Sequence, residues 1–390
     1  MQNFIYDVST KILFGNGQIQ NLGAEIRRFS ERILVVFGGG SVKTNGIYNQ
    51  VVHTLKDNKI FFSELWGVEP NPKISSVREG VSLCREQHLE GVLAVGGGSC
   101  IDCAKMIAAS VAYDGDPWDL VTKKAEYKEM LPIFSVLTLA ATGSEMDIYA
   151  VISNPDTKEK RGTNHPGMLP RISVLDPECT YSVPRSQTAA GTADIMSHAM
   201  ETYFTVDESA YLSDSISEAI IKTCIRYGPI ALQDPKNYEA RANLMWASTL
   251  ALNGITLAGK RKAWSVHGIE HILSAYYDIT HGVGLAILTP AWMDYVLNEK
   301  TLRRFVRYGT CVFGIDATLR DWDIARESIR RTRNFFRSMG LPGSLAELGI
   351  DASNIDEMAE RAFGKDGIQN AFVPLSVSDI RNILLNCMGE

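Results

Sequence analysis

The apolar positions of this chain follow two rhythms. Up to about residue 183, short apolar runs alternate with stretches of helical period. Residues 33–37, 60–65, 91–95, 133–139 and 172–175 have the length and composition of strands. Runs such as Ile33-Leu34-Val35-Val36-Phe37, with no polar residue among them, read as strands buried on both faces. Helical spacing fills 48–56, 74–87 and 101–111 between them. Repeated strand–turn–helix units predict a doubly wound parallel α/β sheet. From Ser186 the period is helical throughout, over 187–206, 209–226, 237–258, 263–276, 283–298 and 322–339. The change near Pro184 predicts an α/β domain at 1–183 and an all-α domain at 184–390. A chain of 390 residues accommodates two domains.

Composition narrows the function classes. Hydrophobic residues make up 45% and charged residues 22%, enough apolar content for two cores. The formal charge of -6 offers no basic field for nucleic acid or acidic lipid. The run Lys260-Arg261-Lys262 is short and reads as a solvated turn. The first ten residues, MQNFIYDVST, lack the basic start and apolar run of a secretion signal, and no stretch has the length of a membrane span. Seven cysteines without a spaced framework fit reduced thiols, so a cytoplasmic protein is expected.

Two glycine turns carry the first chemical signal. Gly38-Gly39-Gly40-Ser41 follows the apolar run 33–37, and Gly96-Gly97-Gly98-Ser99 follows 91–95. Glycines let a backbone approach a pyrophosphate, and a following helix offers free N–H groups and a favourable dipole. Ser99 adds a hydroxyl, and Asp102 lies in the next turn. Neither turn is a full GxGxxG fingerprint, and tight turns also carry glycines for geometry alone; two in one sheet favour a Rossmann-like dinucleotide site more than either turn does. The segment 138–145, with Thr138 and Thr142, reads as a strand end able to wall a nicotinamide ring. Cys100 and Cys103 form a CxxC with no second pair, and are read as packing residues.

The second signal lies in the helical half. Asp194 and His198 are four apart, and so are His267 and His271, so each pair shares a helix face. His281 stands before Gly282 at a helix start. A carboxylate and imidazoles suit one divalent metal of intermediate softness, Fe(II) or Zn(II). The same pairs also suit a helix-face ion pair and core histidines, and spacing alone does not bring His281 to the others.

At these residues the chain resembles the iron-containing (group III) alcohol dehydrogenases, in particular the NADPH-dependent butanol dehydrogenase and aldehyde reductase branch. The resemblance runs from TKILFGNG at 10–17 through EPNP at 69–72, GGGSCIDCAK at 96–105 and TLAATGSEMD at 138–147. It continues in GTADIMSHAMETYFT at 191–205 and HGIEHILSAYYDITHG at 267–282. It implies a dehydroquinate-synthase-like architecture with a cleft between an α/β Rossmann-like domain and a helical one. It implies Asp194, His198, His267 and His281 as metal ligands, with His271 lining the active site without binding metal. In a hydride-transfer mechanism His271 is the candidate for relaying a proton between alkoxide and solvent. Gly97, Gly98, Ser99 and Asp102 match the pyrophosphate and ribose region, and Asn71, Thr138, Thr142 and Lys160 match other cofactor contacts. The family forms homodimers and acts on small aldehydes and alcohols. Gly38, Gly39, Gly40 and Ser41 carry no acid where NAD-preferring relatives place one, so NADP(H) is expected. Asp147 and Ala263 depart from the branch pattern of Asn and Asp, and Asp147 is expected to repel anionic substrates if it faces the cleft. Two rivals stand beside this reading. A dehydroquinate-synthase-like lyase needs a basic cluster near the metal motifs, and none is evident. A nucleotide-binding protein with a dead site is opposed by the intact Asp194, His198, His267 and His281.

Overall fold

The structure, a computed structural model, describes residues 1–261, 264–364, 368 and 371–389. Contacts divide them into two units: Asp7–Val183 with Pro235–Asn253, and Met1–Tyr6 with Pro184–Asp234 and Gly254–Glu390. The chain changes unit at Val183/Pro184, where the pattern changes. Neither unit is one continuous stretch, however, unlike the division read from the sequence.

The first unit is a six-stranded parallel sheet. In chain order its strands are β1 (Lys11–Phe14), β2 (Arg32–Phe37), β3 (Phe61–Leu65), β4 (Gly91–Gly96), β5 (Ile133–Leu137) and, after the β6–β7 hairpin, β8 (Ile172–Leu175). The spatial order is β1-β8-β5-β4-β2-β3. The hairpin pairs β6 (Tyr149–Asn154) with β7 (Glu159–Asn164) antiparallel. Alternation along β2 sends its side chains to both faces. Leu34 and Val36 pack with Val77 and Val81 of α2 (Ile74–Glu86) and Ile101 and Ala104 of α3 (Gly98–Ser110). Ile33, Val35 and Phe37 pack with Val51 and Leu55 of α1 (Ile47–Asp57). Helices of nine residues or more are numbered. After β2 the chain places β3 on one side of it and β4 on the other, so the strand order reverses between β2 and β4. Doubly wound sheets bind ligands at the carboxyl ends of the strands at such a switch point. Both glycine turns lie there.

The remaining helices are α4 (Arg185–Tyr203), α5 (Tyr211–Gln233), α6 (Tyr238–Leu252), α7 (Val266–Tyr277), α8 (His281–Val296), α9 (Leu302–Phe313), α10 (Asp321–Ser338), α11 (Ile355–Phe363) and α12 (Val377–Asn386). All but α6 belong to the second unit. In that unit α4 packs on α5 and α8 and is buried from Thr188 onward. Small residues on α4 let its neighbours come close. A Cβ on Gly282 would stand 2.0 Å from the Ala190 carbonyl oxygen, so only glycine fits beside His281. The helix expected over 237–258 ends at Leu252, and Gly254, at φ 94, leads into a 3-10 turn at Ile255–Leu257. Helix α6 packs on the first unit through its contact with Gly143, where an added Cβ would meet the Ser248 carbonyl oxygen at 2.8 Å.

Candidate active site

Helix α4 carries Asp194 and His198 one turn apart, both buried. His267 sits in the first turn of α7, and His281 opens α8. The structure brings all four together. The Nε2 atoms of His198, His281 and His267 lie 3.6, 3.7 and 3.9 Å from one oxygen, Asp194 Oδ1. The four donor atoms are mutually within 4.8 Å. These distances are too long for hydrogen bonds. They approach the donor–donor edges of about 3.3–3.6 Å expected around a divalent ion with bonds of about 2.0–2.2 Å.

Two features show that the group fits an ion. Asp194 Oδ1 and His267 Nε2 are buried with no hydrogen-bond partner among the described residues, a costly state unless something else binds them. The donor chemistry, one carboxylate and three imidazoles, is that of Fe(II) and Zn(II) sites. Burial pushes the Asp194 carboxyl up, but the neighbouring His198, His281 and His267 more than offset it and hold it below its ordinary value. Burial pulls the His267 imidazole down, but Asp194 and Glu201 more than offset that and raise it to about 9. A cation entering this site therefore competes with a proton.

Sequence reasoning missed two acids that hold the rings. Glu201 accepts from His267 Nδ1 at 3.1 Å and from the backbone N–H groups of His267 and Ser265 at 2.8 and 2.9 Å. Glu270 Oε2 accepts from His281 Nδ1. Their spacing was a usable signal: each acid lies three residues after a histidine, His198 or His267, on the same helix. His271 is half-buried. Its ring centre lies 5.7 Å from that of His281 and 6.5 Å from that of His267. It groups with Glu270 and His281, not with Asp194.

In the α/β unit, Gly38, Gly39 and Gly40 follow β2, and Ser41 opens a short helix, Ser41–Thr44. Gly97 caps α3 without a side-chain hydrogen bond, leaving the first turn, with Gly98 and Ser99, open to an anion. A Cβ on Gly98 would meet Thr142 Oγ1 at 2.3 Å, so glycine there lets the 138–145 loop lie against the helix start. Thr138 follows β5 and is tied to β4 by its N–H to the Gly96 carbonyl (3.0 Å). Asn71 adopts a left-handed φ of 53 in the loop before α2. The hairpin is anchored to that loop by Ser153 N donating to the Pro72 carbonyl (2.9 Å), and Lys160, paired in register with Ser153, is buried on it. Asp102 accepts from Ser144 Oγ (2.6 Å) and Val151 N (2.9 Å), linking α3 to the loop and to β6. Burial pushes its carboxyl up to about 6.

The expectation for Asp147 is conditional on its facing the cleft. Asp147 is not an exposed charge: it is buried and paired at 2.6 Å with Lys105, itself fully buried. Lys105 also donates to the carbonyls of Asp147 and Tyr149. Pairing and these hydrogen bonds offset part of the cost of desolvating both charges, and a carboxylate buried this way does not present the exposed charge that repelling anionic substrates would need. Ala263 and Lys262 lie outside the described residues. Cys100 and Cys103 are buried, and burial raises both thiols, Cys100 to about 12, as suits packing residues.

A parallel sheet with glycine turns at its switch point and a largely buried four-donor cluster on three helices fit one class: a protein that pairs a nucleotide-binding sheet with a divalent-metal site. Comparison with known proteins narrows the class. Residues 9–177 match the iron-containing alcohol dehydrogenase family, and 188–388 match the C-terminal part of the Fe-containing alcohol dehydrogenase family. The chain belongs to the iron-containing alcohol dehydrogenases. It is 54% identical to NADH-dependent butanol dehydrogenase A of Clostridium acetobutylicum, over 98% of this chain and 99% of that one. It is 39% identical to the NADPH-dependent aldehyde reductase YqhD of Escherichia coli, over 93% of each chain. The crystal structure of NADH-dependent butanol dehydrogenase A from Thermotoga maritima superposes with a TM-score of 0.95 at 39% identity, over 100% of this chain and 99% of that one.

Proposed function

We propose that this chain exchanges a hydride between NADP(H) and small aldehydes or primary alcohols, with one divalent ion, Fe(II) or Zn(II), held by Asp194, His198, His267 and His281. The observation that carries the reading is the convergence of three Nε2 atoms on Asp194 Oδ1, which has no hydrogen-bond partner among the described residues. A bound divalent ion polarises a carbonyl oxygen and stabilises negative charge on it, and the nicotinamide supplies or accepts the hydride. The protein's own groups orient and shuttle. The first turn of α3, with Gly97, Gly98 and Ser99, holds the pyrophosphate, and Thr138 and Thr142 wall the nicotinamide. Asn71, Asp102 and Lys160 complete the cofactor site. His271, half-buried beside His281, passes the proton between the substrate oxygen and solvent. The enzyme works in the cytoplasm as a homodimer, which sedimentation equilibrium checks.

NADP(H) is favoured by the Gly38–Ser41 turn, which has no acid, and by Lys43 close by. The Lys43 ammonium rests 3.9 Å above the Trp66 ring. NADH is the second reading, favoured by the names of the two butanol dehydrogenases above. The ratio of kcat/KM for NADPH and NADH with butanal decides between them, and a value for NADH equal to or above that for NADPH discards the first. Chelation should abolish butanal reduction, and Fe(II) or Zn(II) should restore it. His271→Ala should lower kcat while metal content stays near one per chain, whereas loss of metal would make His271 a ligand. Full activity in metal-free His267→Ala would refute the ligand assignment.

A further inference from the structure

Each of two carboxylates belongs to a helix that bears a candidate metal ligand and grips the ligand of the next ligand-bearing helix. Glu201 leaves α4 one turn beyond His198 and reaches the start of α7. The N-cap of α7, Ser265, makes no side-chain cap bond, and Glu201 supplies the acceptor for the N–H groups of Ser265 and His267. The same carboxylate holds His267 Nδ1. Glu270 leaves α7 one turn beyond His267, takes a hydrogen bond from Ser274 Oγ, and holds His281 Nδ1 at the start of α8. Both acids are buried, Glu270 completely. A carboxylate at Nδ1 keeps the proton on that nitrogen, so the Nε2 lone pair is left pointing at the cluster centre.

We propose that Glu201 and Glu270 are positioning residues for the divalent ion: they chain α4 to α7 and α7 to α8, fix the tautomers of His267 and His281, and strengthen both imidazoles as donors. The inference rests on the ligand assignment of the preceding subsection. A purely structural role would be limited to capping and helix packing. At Glu270 an amide also serves that role, its oxygen accepting from His281 Nδ1 and its NH2 facing the Ser274 hydroxyl; at Glu201 both oxygens accept backbone N–H groups, so Glu201→Gln also loses a capping bond and Glu270→Gln is the cleaner separator.

The test is metal binding by the full-length protein, read without turnover. Zn(II) and Co(II) affinities are measured by chelator competition for wild type, Glu201→Gln and Glu270→Gln, with circular dichroism to monitor the fold. Each variant should bind about 10–100-fold more weakly and shift the visible Co(II) bands while remaining folded. Binding within twofold of wild type with unchanged bands in both variants would overturn the proposal. If either variant fails to fold, ring-nitrogen NMR of the wild-type Zn(II) protein decides: protons on Nδ1 of His267 and His281 support it, and metal at either Nδ1 defeats it. Two ions per wild-type chain, the second lost in Glu270→Gln, would make Glu270 a ligand and defeat it as well. Failure of the ligand assignment is distinguishable, because His267→Ala would then bind as wild type does.

Discussion

At the scale of single residues, burial without a full set of partners sets the chemistry. Glu145 is completely buried; Oε1 accepts from Thr249 Oγ1, while Oε2 has no hydrogen-bond partner among the described residues. Burial pushes its carboxyl up from 4.5 to about 7. The folded state therefore holds this proton more tightly than the unfolded chain does. The resulting stability is fully present below about pH 4.5 and is lost as pH rises towards 7. Glu145→Gln should thus gain thermal stability relative to wild type as pH goes from 5 to 8. A difference in melting temperature that stays flat with pH would rule this out. At the glycine turn, a Cβ on Gly39 meets nothing within 4 Å, whereas one on Gly38 touches Cys100 Sγ at 3.4 Å and Gly40 has a φ of 95. Gly39 is therefore the place for an acid, and Gly39→Asp should lower kcat/KM for NADPH at least tenfold more than for NADH, an estimate of about 1.4 kcal/mol. An unchanged ratio would locate cofactor choice elsewhere. Pairs one helical turn apart, such as Asp194 with His198, were legible in the sequence because helix geometry alone makes them neighbours. The Lys105–Asp147 pair was not, because 42 residues separate its members and only the fold joins them.

At the scale of elements, legibility followed the strength of the apolar pattern. Strands β2, β4, β5 and β8 are buried along nearly their whole length and read as apolar runs, broken only by Ser135 in β5 and Ser173 in β8. Strand β1 is an edge of four residues with exposed ends, and β7 has the polar sequence EKRGTN, so neither carries a signal of period two. Helices α9, α11 and α12 are amphipathic yet were not read from the sequence, although α9 is as long as α7, which was. How helices meet was out of reach of any periodicity. The convergence of His281 on Asp194 depends on α8 lying against α4, and that depends on Gly282 facing the Ala190 carbonyl. Gly282→Ala should force α8 away from α4, costing about 1–3 kcal/mol by overpacking. It should weaken metal binding as well, because His281 is the adjoining residue. The check is chemical denaturation together with chelator competition. A variant as stable as wild type that binds metal equally would show that the close approach is not what places His281.

At the scale of the whole molecule, the two units are threaded through each other in sequence. The α/β unit takes Pro235–Asn253 from the middle of the helical half, and the helical unit takes Met1–Tyr6 from the start of the chain. The sequence suggested a cut at 183, because α6 has the same helical period as its neighbours and period does not reveal which core a helix joins. Helix α6 joins the sheet unit: Thr249 bonds Glu145, and the Trp246 ring lies 6.0 Å from that of Phe14. Unfolding the helical unit would release both ends of α6 and strip a packed helix from the other unit. Heat should therefore unfold the metal-loaded protein in one transition. The candidate ligands all lie in the helical unit, yet an ion bound there should raise that single transition for the whole chain. Binding to the folded state alone contributes RT ln(1 + [L]/Kd), about 2.7 kcal/mol at a free ion concentration of 100 Kd. Calorimetry of chelated and Zn(II)-loaded protein reads this directly. The loaded protein should melt higher, by an amount that grows with the logarithm of free Zn(II). Two separate transitions, only one of them responding to metal, would show that the units unfold independently despite their threaded chain. A transition indifferent to chelation would remove the ion from the site formed by Asp194, His198, His267 and His281.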